Sequence, residues 1–253
     1  MESFSKLYDS MDEYIRRRDP ASYENKRIEL EVKYFKIPNL VEVLPKEFKY
    51  SSVAEIGCAT GELIGTFPGS DIKRRVGFDI SSLNILSARK KFPQVTFYNN
   101  DFRLSAEKFD LVILSDILEH VEDDVEFLQA AAQMGKLLLV NLPLEKCLIN
   151  LFRNYGFDDP SGHLRSYSLK DGLQLFENAD LLTLKYLRKW SLESEYELFR
   201  QKLNEEIKGS RFSGNLLQQK IKVFIFLLTS HFHSLERFIF SSNLFASVCS
   251  KYQ

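Results

Sequence analysis

The sequence predicts a doubly wound α/β fold built on a mostly parallel, seven-stranded sheet. Short apolar strands alternate with helical segments from about residue 51 to residue 190, the order that builds parallel sheets through right-handed crossovers. Two of the strands, 109–115 and 136–141, are almost continuously apolar and must be covered on both faces. With 253 residues and 44% hydrophobic content, the chain can bury such a core in one large domain.

The individual elements are predicted from the local spacing of apolar residues and from the turn-forming residues between them. The predicted strands are 52–56, 75–79, 95–98, 109–115, 136–141, 181–190 and 245–252. The predicted helices within this alternation are 62–67, 82–91, 125–134, 144–155 and 169–178, with a polar loop at 156–166.

The domain organisation is predicted to be a single domain over 1–253. It comprises an N-terminal helical cap (1–50), a ligand-binding core (51–190), a helical insertion (191–243) and the last strand (244–253). The insertion is rich in phenylalanine. An aromatic stripe of this kind is most often plain core, although it also suits a cap over an apolar ligand or the face of a homodimer.

Composition excludes several classes of protein. The formal net charge of -1 provides no basic field for nucleic acid. Three widely spaced cysteines form no disulfide framework, and the first residues lack the pattern of a signal peptide, so we expect a cytoplasmic protein. The apolar run 223–229 is far shorter than the roughly 20 residues that span a bilayer, so no membrane span is predicted. A helix lying on a membrane surface is the alternative for this run.

A short glycine-rich turn after the first strand is the main candidate ligand site. Glu55 ends the apolar strand, and Gly57, Cys58, Ala59 and Gly61 follow before a helix begins. Glycines at a strand–turn–helix junction let the backbone approach a ligand closely. The spacing does not match the G-x-G-x-x-G fingerprint that binds pyrophosphate, and no P-loop lysine follows.

The other strand ends indicate which ligand this is. In an open parallel sheet, ligands lie beyond the carboxyl ends of the strands. Asp79 ends the second strand 18 residues after Gly61, where a carboxylate can accept both hydroxyls of a ribose. The alternative role for Asp79 is to cap the next helix. A ligand with a ribose but without a phosphate fits this pattern better than a dinucleotide.

The chain resembles the class I S-adenosylmethionine-dependent methyltransferases, in particular the small-molecule branch that includes ubiquinone-type O-methyltransferases. The resemblance extends from about residue 50 to residue 190, and the matching segments occur in family order at family spacing. They are Glu55-Ile-Gly-Cys-Ala-Thr-Gly61, Val76-Gly-Phe-Asp-Ile-Ser81, Asn100-Asp101-Phe102, 109–121 (FDLVILSDILEHV) and Gly162-His-Leu-Arg-Ser-Tyr167. The sequence departs from the family at Ala59, where the family has a glycine.

The resemblance implies a Rossmann-like methyltransferase fold and S-adenosylmethionine as cofactor, with S-adenosylhomocysteine as product. Asp79 would hold the ribose, and Asp101 would accept from the adenine amino group. The turn would pack against the methionyl part of the cofactor, and the Ser115 carbonyl would receive the methionyl amine. Lys26 or Arg27 could reach the carboxylate. The cofactor-binding residues implied are Glu55, Gly57, Cys58, Ala59, Gly61, Asp79, Ile80, Asp101, Phe102 and Ser115.

The acceptor side of the site is less marked in the sequence. His163 is the preferred base or substrate-orienting residue, and His120, which opens the next segment, is the second candidate. Arg165, Tyr167 and Tyr155 are candidates to line the acceptor pocket, with loop packing as the alternative. In some ubiquinone-type relatives the carboxylates beside this Glu-His resemble metal ligands, but no further ligand is evident here and no metal is predicted.

Two functions remain open from the sequence. The leading interpretation is methyl transfer to the oxygen or nitrogen of a small-molecule acceptor by in-line displacement. The alternative is a non-catalytic protein that binds S-adenosylmethionine and serves as a partner or regulator, which Ala59 and the lack of an unambiguous base keep open.

Overall fold

A computed structural model describes residues 26–157, 159, 161–190 and 239–251, without the side chains of Lys26 and Arg27. Its centre is one seven-stranded sheet in the order β3-β2-β1-β4-β5-β7-β6. The strands are β1 (Ser52–Ile56), β2 (Arg74–Phe78), β3 (Thr96–Tyr98), β4 (Phe109–Ser115), β5 (Gly135–Leu144), β6 (Leu181–Trp190) and β7 (Ser242–Ser250).

The sheet is parallel except at β7, which runs antiparallel to both β5 and β6. β1, β2, β3, β4 and β5 pair in parallel, with the order reversing at β1. This arrangement confirms the predicted fold class. Strand positions 111–115 and 137–142 are buried without interruption, as their apolar runs predicted, because helices cover both faces of the sheet.

The helices divide between the two faces of the sheet. On one face, α5 (Asp124–Met134) and α6 (Leu169–Asn178) pack against the strands in one apolar cluster. On the other, α1 (Lys26–Glu31), α2 (Ile37–Val43), α3 (Glu62–Thr66) and α4 (Ser82–Lys91) surround a second cluster. A π-helical turn, Val32–Lys36, joins α1 to α2. The sheet is therefore doubly wound, and loops lie at the carboxyl ends of its strands.

One predicted helix is wrong. The segment 144–155 contains only a single 3₁₀ turn, Leu148–Asn150, and Leu144 is the last residue of β5. The apolar residues here are consecutive rather than spaced at helical intervals, and Leu151 and Phe152 are exposed. No side chain caps the turn, and Asn150 and Arg153 instead bind Glu145. The segment is a loop because it has no apolar stripe to bury.

The remaining boundaries differ from the predictions by a few residues. β5 runs three residues further than predicted, because β7 pairs with it as far as Leu144. Most of the predicted helical insertion, 191–238, lies outside the described residues. Within the described residues, no helix combines the length and the apolar character needed to cross a membrane. No disulfide joins the three cysteines, all of which are described.

Candidate active site

The turn at 57–61 closes over the carboxyl end of β1. Gly57, Ala59 and Gly61 all have left-handed backbone conformations, with φ of 74°, 45° and 83°. The amides of Gly57 and Cys58 donate to the carbonyl of Phe78, at 2.8 and 3.0 Å, which holds the turn against β2. A Cβ on Gly57 would lie 2.8 Å from Cδ1 of Ile117. Glycine is required there for conformation and for space.

Ala59 also adopts a positive φ, a conformation that favours glycine. Its side chain is exposed, and its amide donates to Oδ2 of Asp79 at 2.8 Å. A left-handed alanine costs roughly 1 kcal/mol relative to glycine. The bond to Asp79 helps to hold the strained residue in place.

Asp79 joins the two loops that would flank a ribose. While Oδ2 accepts from the Ala59 amide, Oδ1 accepts from the amide of Ser81 at 2.8 Å. The cap of α4 is Ser81, whose hydroxyl accepts from the Asn84 amide. The alternative capping role of Asp79 therefore belongs to Ser81, and the Asp79 carboxylate lies between the 57–61 turn and Ile80.

Glu55 supports the turn from the interior. It is only 4% exposed, and its Oε2 accepts from the amide of Ile64 at 2.9 Å, joining β1 to the first turn of α3. Burial raises the pKa of Glu55 well above its ordinary value, and this hydrogen bond partly offsets the effect. Cys58 is buried beside it, and burial likewise raises the pKa of its thiol. Neither residue is placed to act as a nucleophile.

Asp101 is paired more tightly than the sequence suggested. The Arg103 guanidinium binds it from two nitrogens, Nε to Oδ1 at 3.0 Å and Nη2 to Oδ2 at 2.6 Å. Burial acts to raise the pKa of Asp101, but these bonds lower it on balance. Phe102 is buried edge-on against Phe127, with ring centroids 5.0 Å apart. Any ligand amine reaching this carboxylate must share it with Arg103.

A partly buried polar network lies beyond β4 and includes a lysine that the sequence analysis missed. Lys36 Nζ lies 2.7 Å from Oδ2 of Asp116, and the same oxygen accepts from Ser115 Oγ and Asn141 Nδ2. Burial acts to lower the pKa of Lys36, but the nearby carboxylates raise it on balance. The π-helical turn sets the register of Lys36, and a search for ordinary helical periodicity does not detect such a turn.

His163 forms a hydrogen-bonded pair with a second residue that the sequence analysis missed, Glu145. His163 Nδ1 lies 2.8 Å from Oε2 of Glu145, and Arg153 binds the other oxygen at 2.8 Å. Burial acts to raise the pKa of Glu145, but His163 and Arg153 lower it on balance. A carboxylate can only accept, so Nδ1 carries the proton in the neutral ring and Nε2 is basic. The sequence signal that could have identified Glu145 is its position just past the end of β5.

His120 lies against His163, so the structure brings both predicted catalytic residues together. The two rings are nearly perpendicular, with centroids 4.8 Å apart. His120 Nδ1 lies 2.9 Å from the carbonyl of Gly162, and burial followed by the neighbouring His163 lowers the pKa of His120. Glu119, 2% exposed, lies beside them, and burial raises its pKa well above the ordinary value.

The other predicted acceptor residues take different positions. The Tyr167 hydroxyl is buried and donates to Oδ2 of Asp124 at 2.7 Å. Arg165 binds the same oxygen at 2.8 Å, so both residues brace the start of α5. Tyr155 is half-buried with its ring 4.8 Å from the Arg153 guanidinium carbon, next to Glu145. Of the three, Tyr155 lies nearest to the histidine pair in the bonding network.

Comparison with known proteins agrees with this architecture. The family model described as "Methyltransferase domain" matches residues 28–186. Together with the seven-stranded sheet, this match defines a class I methyltransferase. The chain belongs to the family of S-adenosylmethionine-dependent class I methyltransferases.

The similar solved structures share the fold at low sequence identity. A putative methyltransferase from Bacillus halodurans is 15% identical, with a TM-score of 0.55 over 84% of this chain and 97% of that one. The O-methyltransferase from a trans-AT PKS multienzyme of Brevibacillus brevis, in complex with S-adenosyl-L-homocysteine, is 13% identical. Its TM-score is 0.55 over 92% of this chain and 78% of that one.

A curated relative matches over a shorter stretch. The bifunctional methionine biosynthesis protein MetXA/MetW of Rhodopirellula baltica is 27% identical over 116 residues, 42% of this chain. The chain matches only 18% of the length of that relative. The similarity thus covers one part of a much longer protein.

Proposed function

We propose that this protein binds S-adenosylmethionine at the 57–61 turn and transfers its methyl group to the oxygen or nitrogen of a small-molecule acceptor. The observation that carries the proposal is the Asp79 carboxylate, held by the amides of Ala59 and Ser81. It lies beyond β2, beside the point where the strand order reverses. Carboxyl ends at such a point bind nucleosides in open α/β sheets.

The residues for each part of the cofactor follow from this placement. Asp79 takes the ribose hydroxyls, and Ile80 and Phe102 lie along the adenine. Asp101 accepts from the adenine amine while it stays paired with Arg103. The Ser115 carbonyl takes the methionyl amine, and Lys36 takes the carboxylate. We assign Lys36 because its ammonium lies in the partly buried network at the end of β4; the side chains of Lys26 and Arg27 are outside the described residues.

The chemistry divides between the cofactor and the protein. The cofactor supplies an electrophilic methyl group and a thioether leaving group. The chain must align the acceptor with that methyl group and remove the acceptor proton. His163 Nε2 is suited to take the proton because Glu145 stabilises the imidazolium that forms. His120, with its lowered pKa, stays neutral beside it and limits charge repulsion.

The acceptor is expected to be small, because a formal net charge of -1 provides no overall basic field for nucleic acid. Tyr155 and Arg153 lie on the acceptor side next to Glu145. Arg165 and Tyr167 stabilise the start of α5 behind the acceptor side. A cytoplasmic location is part of the proposal and fits the three unbonded cysteines.

Calorimetric titration with S-adenosylhomocysteine tests the cofactor assignment. Asp79→Asn should weaken binding by about 10- to 100-fold, since a hydrogen bond to a charged group is worth roughly 1.5–3 kcal/mol. Asp71→Asn, an exposed aspartate before β2, is the matched control and should bind normally. Absence of binding to the unaltered chain would refute the cofactor site, and unchanged affinity of Asp79→Asn would refute its ribose role.

Methyl transfer itself is tested with labelled cofactor over a panel of hydroxyl and amine acceptors. With an acceptor identified, His163→Gln should lower kcat by about 100- to 10,000-fold, the contribution typical of a general base. Retention of full turnover by His163→Gln would contradict the base assignment. Cofactor binding without transfer to any acceptor would favour the non-catalytic alternative.

A further inference from the structure

We propose that Glu119, His120 and His163 form a binding site for one divalent transition-metal ion. One ligand atom from each of the three side chains lies within 4.8 Å of the other two. Glu119 and His120 belong to the 3₁₀ turn Leu118–His120 after β4, whereas His163 comes from the loop before α6. The fold therefore brings together a two-histidine, one-carboxylate set from separate parts of the chain.

The hydrogen bonds of the two imidazoles prepare both rings for coordination. His120 Nδ1 bonds to the carbonyl of Gly162 and His163 Nδ1 bonds to Glu145, and both partners can only accept. In the neutral rings the proton is therefore on Nδ1, and the Nε2 atoms are the coordinating nitrogens. Metal-binding histidines usually have this arrangement, with the other ring nitrogen donating to a carbonyl or a carboxylate.

The Glu119 carboxylate provides an independent indication of a ligand. Its side chain is 2% exposed. Oε1 lies 3.8 Å from His120 Nε2, and Oε2 is buried with no hydrogen-bond partner within the described part of the chain. A buried carboxylate oxygen without a partner is costly, since its hydration is lost and nothing replaces it. A cation between Glu119 and the two Nε2 atoms removes that cost.

The backbone around the three residues keeps their positions close. The amide of Leu164 donates to the carbonyl of Glu119 at 2.8 Å, so residues on both sides of His163 are bonded to the 3₁₀ turn. Gly162 has a φ of 72°, a conformation that suits glycine. Arg153 binds both Glu145 and the buried Asp159, and so fixes the carboxylate that orients His163.

Asp116 is not part of this ligand set. Its Oδ2 already accepts from Lys36, Ser115 and Asn141. His163 supplies the third ligand instead, and only the tertiary fold brings it there. The position is beside the methyl end of the proposed cofactor site, because Ile117 of the same loop contacts Gly57.

The ligand chemistry selects the ion. Two imidazole nitrogens and one carboxylate suit Zn²⁺, Co²⁺, Mn²⁺ or Fe²⁺, whereas Mg²⁺ and Ca²⁺ prefer an all-oxygen shell. Ligand atoms in a tetrahedral zinc site lie about 3.4 Å apart, so binding draws these side chains inward by about 1 Å. That shift is within the reach of side-chain rotation.

A bound metal changes the role of His163. Nε2 cannot coordinate a metal and accept a proton at once, so the base role described above belongs to the metal-free protein. A bound ion would supply Lewis-acid activation of an acceptor oxygen. This consequence rests on the proposed function, whereas the metal site itself does not.

Metal binding to the full chain, freed of metal with a chelator, tests the proposal directly. We expect one Zn²⁺ per chain by elemental analysis and calorimetry, much weaker binding of Mg²⁺, and a visible absorption spectrum with Co²⁺ typical of nitrogen ligands. Glu119→Gln and His163→Gln should each weaken Zn²⁺ binding by more than the roughly 10- to 100-fold that losing a supporting partner costs. Glu145→Gln should fall in that range, and Glu47→Gln, at an exposed glutamate before β1, should bind normally.

Two results would overturn the proposal. One is no stoichiometric binding of Zn²⁺ or Co²⁺ by the unaltered chain, and the other is a Zn²⁺ affinity that Glu119→Gln and His163→Gln leave unchanged. If a variant does not fold, the cobalt spectrum of the unaltered chain still reports whether nitrogen ligands are present. Titration of the metal-free chain with S-adenosylhomocysteine separates the outcomes, because failure of that binding refutes the proposed function without touching the metal site.

Discussion

At the scale of single residues, backbone strain occurs in the loops of the candidate active site. Within the described residues, three non-glycine positions have positive φ: Ala59, Asp116 and Asp180. Ala59 lies in the proposed cofactor turn and Asp116 in the network behind it. Both have hydrogen bonds that offset the strain, from the Ala59 amide to Asp79 and from Lys36 to the Asp116 carboxylate. Strained residues of this kind cluster at functional sites.

Replacing Ala59 with glycine tests the strain. We expect Ala59→Gly to raise the free energy of unfolding by about 0.5 kcal/mol, because relief of roughly 1–2 kcal/mol of left-handed strain exceeds the entropy that glycine adds to the unfolded chain. Ala59→Val should destabilise, since a β-branched residue tolerates positive φ poorly. Chemical denaturation measures both, and a clear loss of stability in Ala59→Gly would contradict the assignment.

At the scale of secondary-structure elements, one carboxylate joins the starts of three parallel strands. Asp110 in β4 accepts from the amide of Ser51 at 2.9 Å and from the amide of Ser52 at 3.1 Å, at the start of β1. Its other oxygen binds Lys136 of β5 at 2.7 Å. The Lys136 bond, followed by the Ser51 amide, holds the pKa of Asp110 well below its usual range.

This carboxylate predicts a pH-dependent contribution to stability. A lowered folded-state pKa stabilises the fold above the unfolded value of about 3.9, and the contribution disappears as pH falls through the folded value. Asp110→Asn should therefore lower the free energy of unfolding by about 2 kcal/mol at pH 7. The difference between the two proteins should shrink below pH 4. Denaturation across pH 2–7 measures it, and a constant difference would contradict the assigned cause.

At the scale of the whole molecule, β6 and β7 frame a long stretch of sequence. Trp190 at the end of β6 is paired with Ser242 at the start of β7, so the chain leaves the sheet and returns at neighbouring positions. We therefore expect the sheet to be independent of the 48 residues from 191 to 238, which lie outside the described residues. That these residues form a helical insertion stays a prediction.

Replacing 191–238 with a flexible linker of about six residues tests this independence. The shortened chain should fold and bind S-adenosylhomocysteine within about threefold of the full chain, because the proposed cofactor residues lie outside the segment. Circular dichroism and calorimetry provide the measurements. A folded chain that no longer binds the product would show that the segment contributes to the cofactor site, and light scattering of both chains would reveal whether it forms a dimer face.

The fold was largely predictable from the sequence, and the long-range polar contacts of the candidate site were not. Strand–helix alternation, the 57–61 turn and Asp79 are local patterns, because backbone conformation and burial act over a few residues. Lys36, Glu145 and Glu119 act through partners far away in the sequence. His163 meets Glu145 across 18 residues and Lys36 meets Asp116 across 80, and no local pattern encodes such pairs.

The amino-acid sequence by itself determined the architecture and the family, since these depend on apolar periodicity and on turn chemistry. Only the tertiary structure decided which polar groups share the buried space beyond β4 and β5. There, Asp116 is bound by Lys36, and His163 joins His120 and Glu119. The physical reason is that buried polar groups must find partners, and the packing of distant loops determines which partners are within reach.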